Sequence, residues 1–394
     1  MLRDQNILLG VSGSIAAYKS VDLARRFIDE GAHLKVVMTG AACRFITPYI
    51  FETLTGNPVY TDLFKDPFSH IHLTKEADLF IIAPATANTL NKFSCGIADN
   101  LLTTLWLTHT GPVLMAPAMN FRMYGNPIVK KHIKELKKLG VQFIGPESGR
   151  LACGEEGEGR MVAVEEIVDA ARTSLTDQDL KGQRLLVTAG PTREPIDPVR
   201  FISNRSSGKM GFAITRAALR RGAKVTLVSG PSSLAPPGGA SFVRVENASQ
   251  MESEVLKHFE KATSVVMAAA VSDYSSPHIA KVKIKKKGDI TLKLKVNTDI
   301  LRKLGKRKGK RILIGFAAES GRDIKSALGK LRDKNLDMIV LNDISQQGAG
   351  FDGDTNVVTI INSKGQTTDY PKMTKIEVAD KILDGIIGLK RGKA

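Results

Sequence analysis

Apolar residues along this chain fall into short unbroken runs, each closed by a polar or glycine-bearing turn. Gln5 to Val11 is the first such run; Ser12-Gly13-Ser14 follows, and Ile15-Ala16-Ala17-Tyr18-Lys19 opens a helical stretch that ends near Gly31. His33 to Met38 is the next apolar run. Strand, glycine-bearing turn, helix and strand in this order predict a parallel βαβ unit. The pattern returns after Lys181, with a strand over Arg184 to Thr188, a helix over Met210 to Arg221 and a strand over Ala223 to Val228 that closes at Ser229-Gly230. The fold class is therefore α/β: two tandem doubly wound parallel-sheet, Rossmann-like domains. Their expected bounds are 1–176 and 181–394, and the polar stretch Arg172 to Asp179 is the expected linker.

Length agrees with two domains, because 394 residues exceed what one core usually organises, while burying roughly three quarters of the unfolded surface. No stretch approaches the roughly 18 unbroken apolar residues of a membrane helix, and Met1-Leu2-Arg3-Asp4-Gln5 runs into a strand without a signal-peptide apolar region. A soluble, cytoplasmic protein is expected, with no membrane partner. Cys43, Cys95 and Cys153 are odd in number and lack CxxC spacing, which supports neither a disulfide framework nor a zinc site. Each is a buried thiol or a reactive one, and no metal ligands can be named.

The net charge of +17 suggests nucleic acid at first. From Lys281 to Arg311, however, 14 Lys or Arg stand against Asp289 and Asp299, so one segment carries most of the excess. That segment has no aromatic residue, whereas single-strand-binding surfaces interleave stacking rings with cations. A solvated basic face and an anionic small-molecule site both account for it better than nucleic acid does.

Candidate chemistry sits at the ends of the apolar runs. Gly10-Val11-Ser12-Gly13-Ser14 has GxxG spacing, and the second strand ends at Thr39 where a nicotinamide enzyme would place an acid for the ribose. Backbone amides and hydroxyls at a helix start still cradle a phosphate, so a mononucleotide such as FMN fits better than NAD. Ala83 to Leu90 follows the strand Leu79 to Ile82 with small residues that let a planar ring approach. Pro117-Ala118-Met119-Asn120-Phe121-Arg122-Met123-Tyr124 sets an amide between two thioethers. It reads either as a turn capped by Asn120 or as a holder for a carboxylate beside a flat cofactor. His70 and His72 flank Ile71 and would face opposite sides of an extended segment, a poor metal pair. Ser206-Ser207-Gly208-Lys209 is not a Walker A loop, since Ser203 stands where glycine is required.

Several of these strings occur together in one known family. GSIAAYK at 13–19, HIHLTKEAD around His70, APATANTLNK at 83–92, GIADNLLTT at 96–104 and PAMNFRMY at 117–124 resemble the flavin-containing cysteine decarboxylases, with Tyr124 in place of the tryptophan of their PxMNxxMW motif. Ala189 to Gly211 resembles the signature of phosphopantothenate-cysteine ligases, so the whole chain is similar to the bifunctional decarboxylase/ligase family of coenzyme A biosynthesis. The resemblance implies that 4′-phosphopantothenate, cysteine and CTP, with Mg²⁺, are joined through an acyl-cytidylate. FMN-dependent oxidative decarboxylation then gives 4′-phosphopantetheine and CO₂. For the first half it implies FMN contacts at Gly13, Ser14, Ile15, Thr39, Thr86, Asn88 and Met119, a base or orienting group at His70, a carboxylate ligand at Asn120, and a proton donor at Cys153, whose glycine-rich surroundings suit a mobile lid. For the second it implies catalytic roles for Asn204 and Lys283, and nucleotide contacts at Asp273, Thr298, Asp299, Ile300, Leu301, Phe316, Lys330 and Lys334. Thr298 replaces a proline of some relatives, and Lys330 and Lys334 would share a helical face. The family also implies a homo-oligomer, a dodecamer of flavin-domain trimers and ligase-domain dimers.

Two rival readings remain open at this level. A basic nucleic-acid-binding or regulatory protein would explain the charge and leave Asn120 and Cys153 idle. A flavin-retaining pseudoenzyme scaffold would not need His70, Asn120 and Cys153 together.

Overall fold

A computed structural model describes residues 2–152, 154–286, 288–319, 321–343, 345 and 353–391. It divides into two compact units, 1–176 and 177–394.

The first unit runs β1 (Asn6–Val11), α1 (Lys19–Asp29), β2 (His33–Met38), α2 (Pro48–Thr55), β3 (Val59–Tyr60), α3 (Ser69–Glu76), β4 (Leu79–Ala85), α4 (Ala87–Cys95), α5 (Leu101–Thr108), β5 (Val113–Pro117), α6 (Phe121–Gly125), α7 (Pro127–Lys138) and β6 (Gln142–Phe143). A hairpin of β7 (Glu147–Arg150) and β8 (Glu156–Arg160) precedes α8 (Val164–Ser174). The sheet order is β3-β2-β1-β4-β5-β6, and every pair is parallel. Helices cover both faces of such a sheet, which is why β4 is apolar and buried along its whole length. Burying Phe80, Ile81 and Ile82 stabilises the unit by about 1.5–3 kcal/mol for each side chain. On one face α1 packs Leu23, Ala24 and Phe27 against Ile167, Val168 and Ala171 of α8.

Two expectations change here. The stretch expected as a linker is helical through Ser174, because Arg172 is held by Glu30 and Asp169. The segment holding His70 and His72 is α3 rather than extended chain, since Ser69, Leu73 and Thr74 bury one helical face. Residues two apart on a helix diverge by roughly 200°, so the two imidazoles still form no metal pair.

The second unit runs β9 (Arg184–Ala189), β10 (Arg193–Pro195), β11 (Phe201–Ser203), α9 (Lys209–Arg220), β12 (Lys224–Ser229), β13 (Ser241–Arg244), α10 (Ala248–Phe259), β14 (Ser264–Met267), β15 (Tyr274–Ser275), β16 (Lys295–Val296), α11 (Ile300–Lys306), β17 (Ile312–Glu319), α12 (Ile324–Asp333), β18 (Met338–Asp343), β19 (Thr355–Asn362), β20 (Thr367–Thr374) and α13 (Lys375–Arg391). Its main sheet has the order β13-β12-β9-β14-β17-β18-β19-β20. From β13 to β18 the pairs are parallel, whereas β19 and β20 are antiparallel additions. The doubly wound expectation holds, but the sheet is mixed rather than purely parallel. The physical reason is the turn between β19 and β20, closed by Gly365 N–H donating to Asn362 O at 2.9 Å. A turn that short leaves no room for a crossover helix, so the strands pair antiparallel.

Candidate active sites

In both units the strand order reverses beside the first strand, between β1 and β4 and again between β9 and β14. The crevice outside the carboxyl ends of those strands is where open α/β sheets place ligands.

In the first unit Ser12 fastens the crevice. Its hydroxyl donates to Pro84 O at 2.7 Å and accepts from Thr86 N–H at 3.1 Å, tying the end of β1 to the end of β4. Thr86 caps α4 by accepting from Thr89 N–H, Ser14 caps the short turn after β1 by accepting from Ala16 N–H, and Thr39 accepts from Ala42 N–H. A Cβ at Gly13 would stand 2.6 Å from Ala41 Cβ, so only glycine lets the two turns meet. Gly13, Ser14, Thr39, Thr86, Asn88 and Met119 line one cavity of about 500 Å³. A second cavity of about 720 Å³ shares Ser14 and Met119 with it and adds Ile15 and Asn120. All seven residues expected to contact FMN therefore border two adjoining cavities with a common wall. Hydroxyls, amides and a helix start fit a mononucleotide phosphate in the smaller one. Asn120 Oδ1 caps α6 by accepting from Arg122 N–H at 2.9 Å, as the turn reading expects, and Asn120 also lines the larger cavity.

His70 lines neither cavity. It is half-buried on α3, and its Nδ1 is buried without a hydrogen-bond partner among the described residues. Cys153 lies outside the described residues, but Leu151 and Ala152 before it line the larger cavity. Lys92, Asn100 and Thr103 also line the smaller cavity and were not singled out from the sequence. Asn100 and Thr103 form a capping box at the start of α5, a spacing visible in Asn100-Leu101-Leu102-Thr103.

In the second unit the stretch Ala189 to Gly211 becomes a hairpin and a helix start laced to the end of β14. Thr192 Oγ1 accepts from Ser272 N–H at 2.9 Å, and Asn204 Nδ2 donates to Ala270 O and Val271 O at 3.3 and 3.1 Å. Asn204 is thus a cross-link and not the helix cap, a position held by Gly208. A cavity of about 450 Å³ gathers Asn204, Asp273, Phe316 and Lys330. Thr298, Asp299, Ile300, Leu301, Lys283 and Lys334 do not line it. Asp299 caps α11 through Arg302 N–H at 2.9 Å, and Lys334 pairs with it at 2.9 Å. Burial would raise the Asp299 pKa, but these hydrogen bonds outweigh it and hold the carboxyl below its usual range. Ile300 is buried in the core with Leu301 packed beside it. Lys334 is the C-cap of α12 and its N–H donates to Lys330 O at 3.1 Å, one turn above Lys330, but the two ammonium groups take different partners, Lys330 pairing with Glu319 at 2.5 Å.

Lys283 is exposed, and the backbone next to it is anchored: Ile284 N–H donates to the buried Asp197 carboxylate at 3.1 Å, and Arg200 Nη1 donates to Ile284 O at 3.2 Å. The basic segment splits into two kinds of residue. Lys303, Lys308 and Arg311 pair with Glu252, Asp337 and Glu260, whereas Lys281, Lys283, Lys285, Lys286, Lys293 and Lys295 pair with no carboxylate among the described residues. Lys209, Asn342, Asn356 and Lys375 line the cavity too. Asn342 comes from the parallel strand β18 and Asn356 from β19, so the arrival of Asn356 depends on the antiparallel edge that sequence reading did not foresee.

Among the described residues no group of three His, Cys, Asp or Glu could hold a metal ion, and no helix is long and apolar enough to cross a membrane.

Two α/β units, each with a cavity at its switch point, define a two-domain protein with a candidate site in each domain. Residues 1–176 match the family model "Flavoprotein", and residues 180–389 match "DNA/pantothenate metabolism flavoprotein C-terminal domain". The "Coenzyme A biosynthesis bifunctional protein CoaBC" of Bacillus subtilis (strain 168) is 46% identical, covering 99% of this chain and 98% of its own length. The protein of the same name from Escherichia coli (strain K12) is 42% identical over 98% of this chain and 97% of its own. A crystal structure of the C-terminal domain of such a protein has a TM-score of 0.48 at 42% identity, covering 55% of this chain and 100% of its own. The chain belongs to the family of bifunctional coenzyme A biosynthesis proteins.

Proposed function

We propose that the second unit joins 4′-phosphopantothenate to cysteine at the expense of CTP, releasing pyrophosphate and then CMP, and that the first unit decarboxylates the resulting 4′-phosphopantothenoylcysteine to 4′-phosphopantetheine. The observation that carries this reading is that Gly13, Thr39, Thr86 and Asn88 border one cavity and Asn204, Asp273, Phe316 and Lys330 another, in a chain similar end to end to bifunctional coenzyme A biosynthesis proteins.

In the ligase unit a carboxylate must be activated while a triphosphate is held. Lys330 and Lys209 bring cations to the cavity, and preorganised charge facing a developing anion is the expected catalytic term. Asn204 fixes the end of β14, from which Asp273 is presented. Lys283, on its anchored segment, is the residue we assign to the ligation step. Thr298 to Leu301 with Lys334 form a second rim contributing nucleotide contacts. Mg²⁺ is carried by the CTP phosphates, as that cation usually needs only one or two carboxylates from the protein.

In the decarboxylase unit Gly13, Ser14, Thr39, Thr86 and Asn88 would hold FMN, which when bound would supply the two-electron oxidation of the substrate thiol and the return of a hydride. Asn120 meets the departing carboxylate through its amide nitrogen, next to Met119 on the shared wall. Cys153 returns the final proton. His70 lines neither cavity of its own chain, and we assign its role to a site completed by a neighbouring chain. Exposed Ile15, Tyr18, Phe45 and Tyr49 supply the apolar surface for such contacts. Trimers of the flavin unit joined through dimers of the ligase unit give a cytoplasmic dodecamer.

The test is mass spectrometry of products from 4′-phosphopantothenate, cysteine, CTP and Mg²⁺, with each component omitted in turn. Phosphopantetheine from the complete mixture, acyl-cysteine without decarboxylation from flavin-stripped protein, and neither without CTP are the expected results. Product formed equally well without any nucleotide would defeat the ligase assignment.

A further inference from the structure

The hairpin of β10 and β11 joins the ligase cavity to the basic segment. Its strands pair from Arg193 with Ser203 to Pro195 with Phe201. At the foot, Ser203 Oγ donates across to Thr192 O at 2.8 Å, and the next residue, Asn204, borders the cavity. The tip is the turn over 196–200, where Ile196 O accepts from Ala280 N–H at 3.0 Å. Asp197 stands in that turn with its side chain fully buried.

A carboxylate held out of water needs donors for its lone pairs. Asp197 Oδ1 accepts from Val199 N–H and Arg200 N–H, both at 2.8 Å, which is the ordinary use of an aspartate in a turn. Oδ2 makes bonds that the turn does not require. It accepts from Ile284 N–H at 3.1 Å and from Arg200 Nη1 at 3.3 Å, and the same guanidinium nitrogen donates to Ile284 O at 3.2 Å. Both backbone groups of Ile284 are thus held by a turn that lies 87 residues away at Asp197. Burial gives its neighbours no comparable hold: Lys281, Val282, Lys283, Lys285 and Lys286 are exposed and belong to no helix or strand.

We infer that Asp197 is a positioning residue for the ligase reaction: through Ile284 it fixes the backbone that carries Lys283, and so sets where the Lys283 ammonium stands when cysteine displaces CMP. This role rests on the assignment of Lys283 to the ligation step. An exposed lysine on irregular chain spreads over many conformers, and an anchor at the adjoining residue removes part of that freedom before substrate arrives. Asparagine at position 197 separates this role from that of the turn. Its one carbonyl oxygen can still accept from Val199 and Arg200 N–H, which leaves the amide nitrogen against Ile284 N–H, donor facing donor.

The experiment uses the full-length protein with 4′-phosphopantothenate, CTP and Mg²⁺, and follows the burst of pyrophosphate before cysteine is added and the CMP released after it. Wild type is compared with Asp197→Asn, Lys283→Gln, the double variant and Ile284→Pro. Asp197→Asn should keep the pyrophosphate burst and the KM for CTP while kcat for CMP release falls about tenfold to a hundredfold, the effect of misplacing a reacting group by about 1 Å. Ile284→Pro removes the N–H from the other side of the bond, in an exposed stretch that no helix or strand needs, and should reproduce that loss. Because Asp197 acts through Lys283, the double variant should be no slower than Lys283→Gln alone. Wild-type CMP release in Asp197→Asn or Ile284→Pro, equal falls of pyrophosphate and CMP release in Ile284→Pro, or multiplied losses in the double variant overturn the positioning role. Wild-type CMP release in Lys283→Gln overturns the assignment of Lys283 itself, and the role of Asp197 with it.

Discussion

Gly159 is the position where one added methyl group tests how the flavin unit is held together. It lies in β8, and Met119 N–H donates to its carbonyl at 3.0 Å, which makes the hairpin the outer support of the Met119–Asn120 wall shared by the cavities. A Cβ at Gly159 would stand 2.1 Å from Met119 O and 3.2 Å from Phe121 N. Both neighbours are backbone, so no side chain can rotate away and β8 must move off the wall. Overpacking of this kind costs about 1–3 kcal/mol, and losing the Met119 hydrogen bond adds about 1 kcal/mol. The total for Gly159→Ala is then roughly 2–4 kcal/mol, or a fall of roughly 4–16 °C in the melting temperature of a unit this size. Flavin absorbance of the purified protein and thermal unfolding followed by flavin fluorescence read both effects. Gly125→Ala is the control: Gly125 ends α6, and a Cβ there meets nothing within 4 Å, so it should leave flavin content and melting unchanged or slightly improved. CTP-dependent pyrophosphate release by the other unit shows whether the rest of the chain is intact. Wild-type flavin content and melting in Gly159→Ala would refute the reasoning, since the wall would then be able to give without cost.

Three further outcomes are expected. Arg221→Met should destabilise the second unit by roughly 2–3 kcal/mol, the low side of losing one partner of a buried pair, because the Arg221 side chain is 8% exposed and bridges Asp179 at 2.7 Å and Asp384 at 2.8 Å while those carboxylates are 32% and 52% exposed; chemical denaturation of the full chain measures it, and an unchanged midpoint would show that the bridge is idle. Burial lowers the His109 pKa below 6.5, so its neutral form belongs to the folded state; stability from this group is full above pH 6.5 and is lost as pH falls through the depressed value. Melting of the flavin unit should accordingly drop between pH 7.5 and 5, and His109→Gln should flatten that slope; the same slope in the variant would assign it to other groups. Asn204→Asp places a carboxylate against Ala270 O and Val271 O and removes the donor that now bonds both, so CTP-dependent pyrophosphate release should fall at least about tenfold, the loss of roughly 1.4 kcal/mol or more, with flavin content and decarboxylation of supplied acyl-cysteine unaffected.

Local order in the sequence was enough to anticipate most of the strands and the turns that line the first crevice. Apolar runs closed by glycine-bearing turns specify strands whose ends carry Ser12, Gly13, Thr39 and Thr86, and a doubly wound sheet has only one place to bring strand ends together. Those residues therefore reached one crevice without further information. The ligase signature from Ala189 to Gly211 was legible as a resemblance, whereas the bonds that Asn204 makes to Ala270 and Val271, 66 and 67 residues on, came only with the tertiary structure. Tertiary structure decided what depended on contacts distant in sequence. Helix α3 forms because Leu73 and Thr74 are buried, an outcome that the alternating His70-Ile71-His72 pattern did not announce. Arg172 looked like linker until Glu30, more than a hundred residues earlier, took up its guanidinium. Asn356 and Lys375 enter the second cavity through the antiparallel edge and the start of α13 that follows it, and β20 folds back on β19 through a short turn and not through any motif. Lys334 and Asp299 spend their charges on each other, and no spacing along the chain revealed that partnership. Strand and turn identity are local properties of a few neighbouring residues; which side chains share a cavity is set by packing among segments that the sequence leaves far apart.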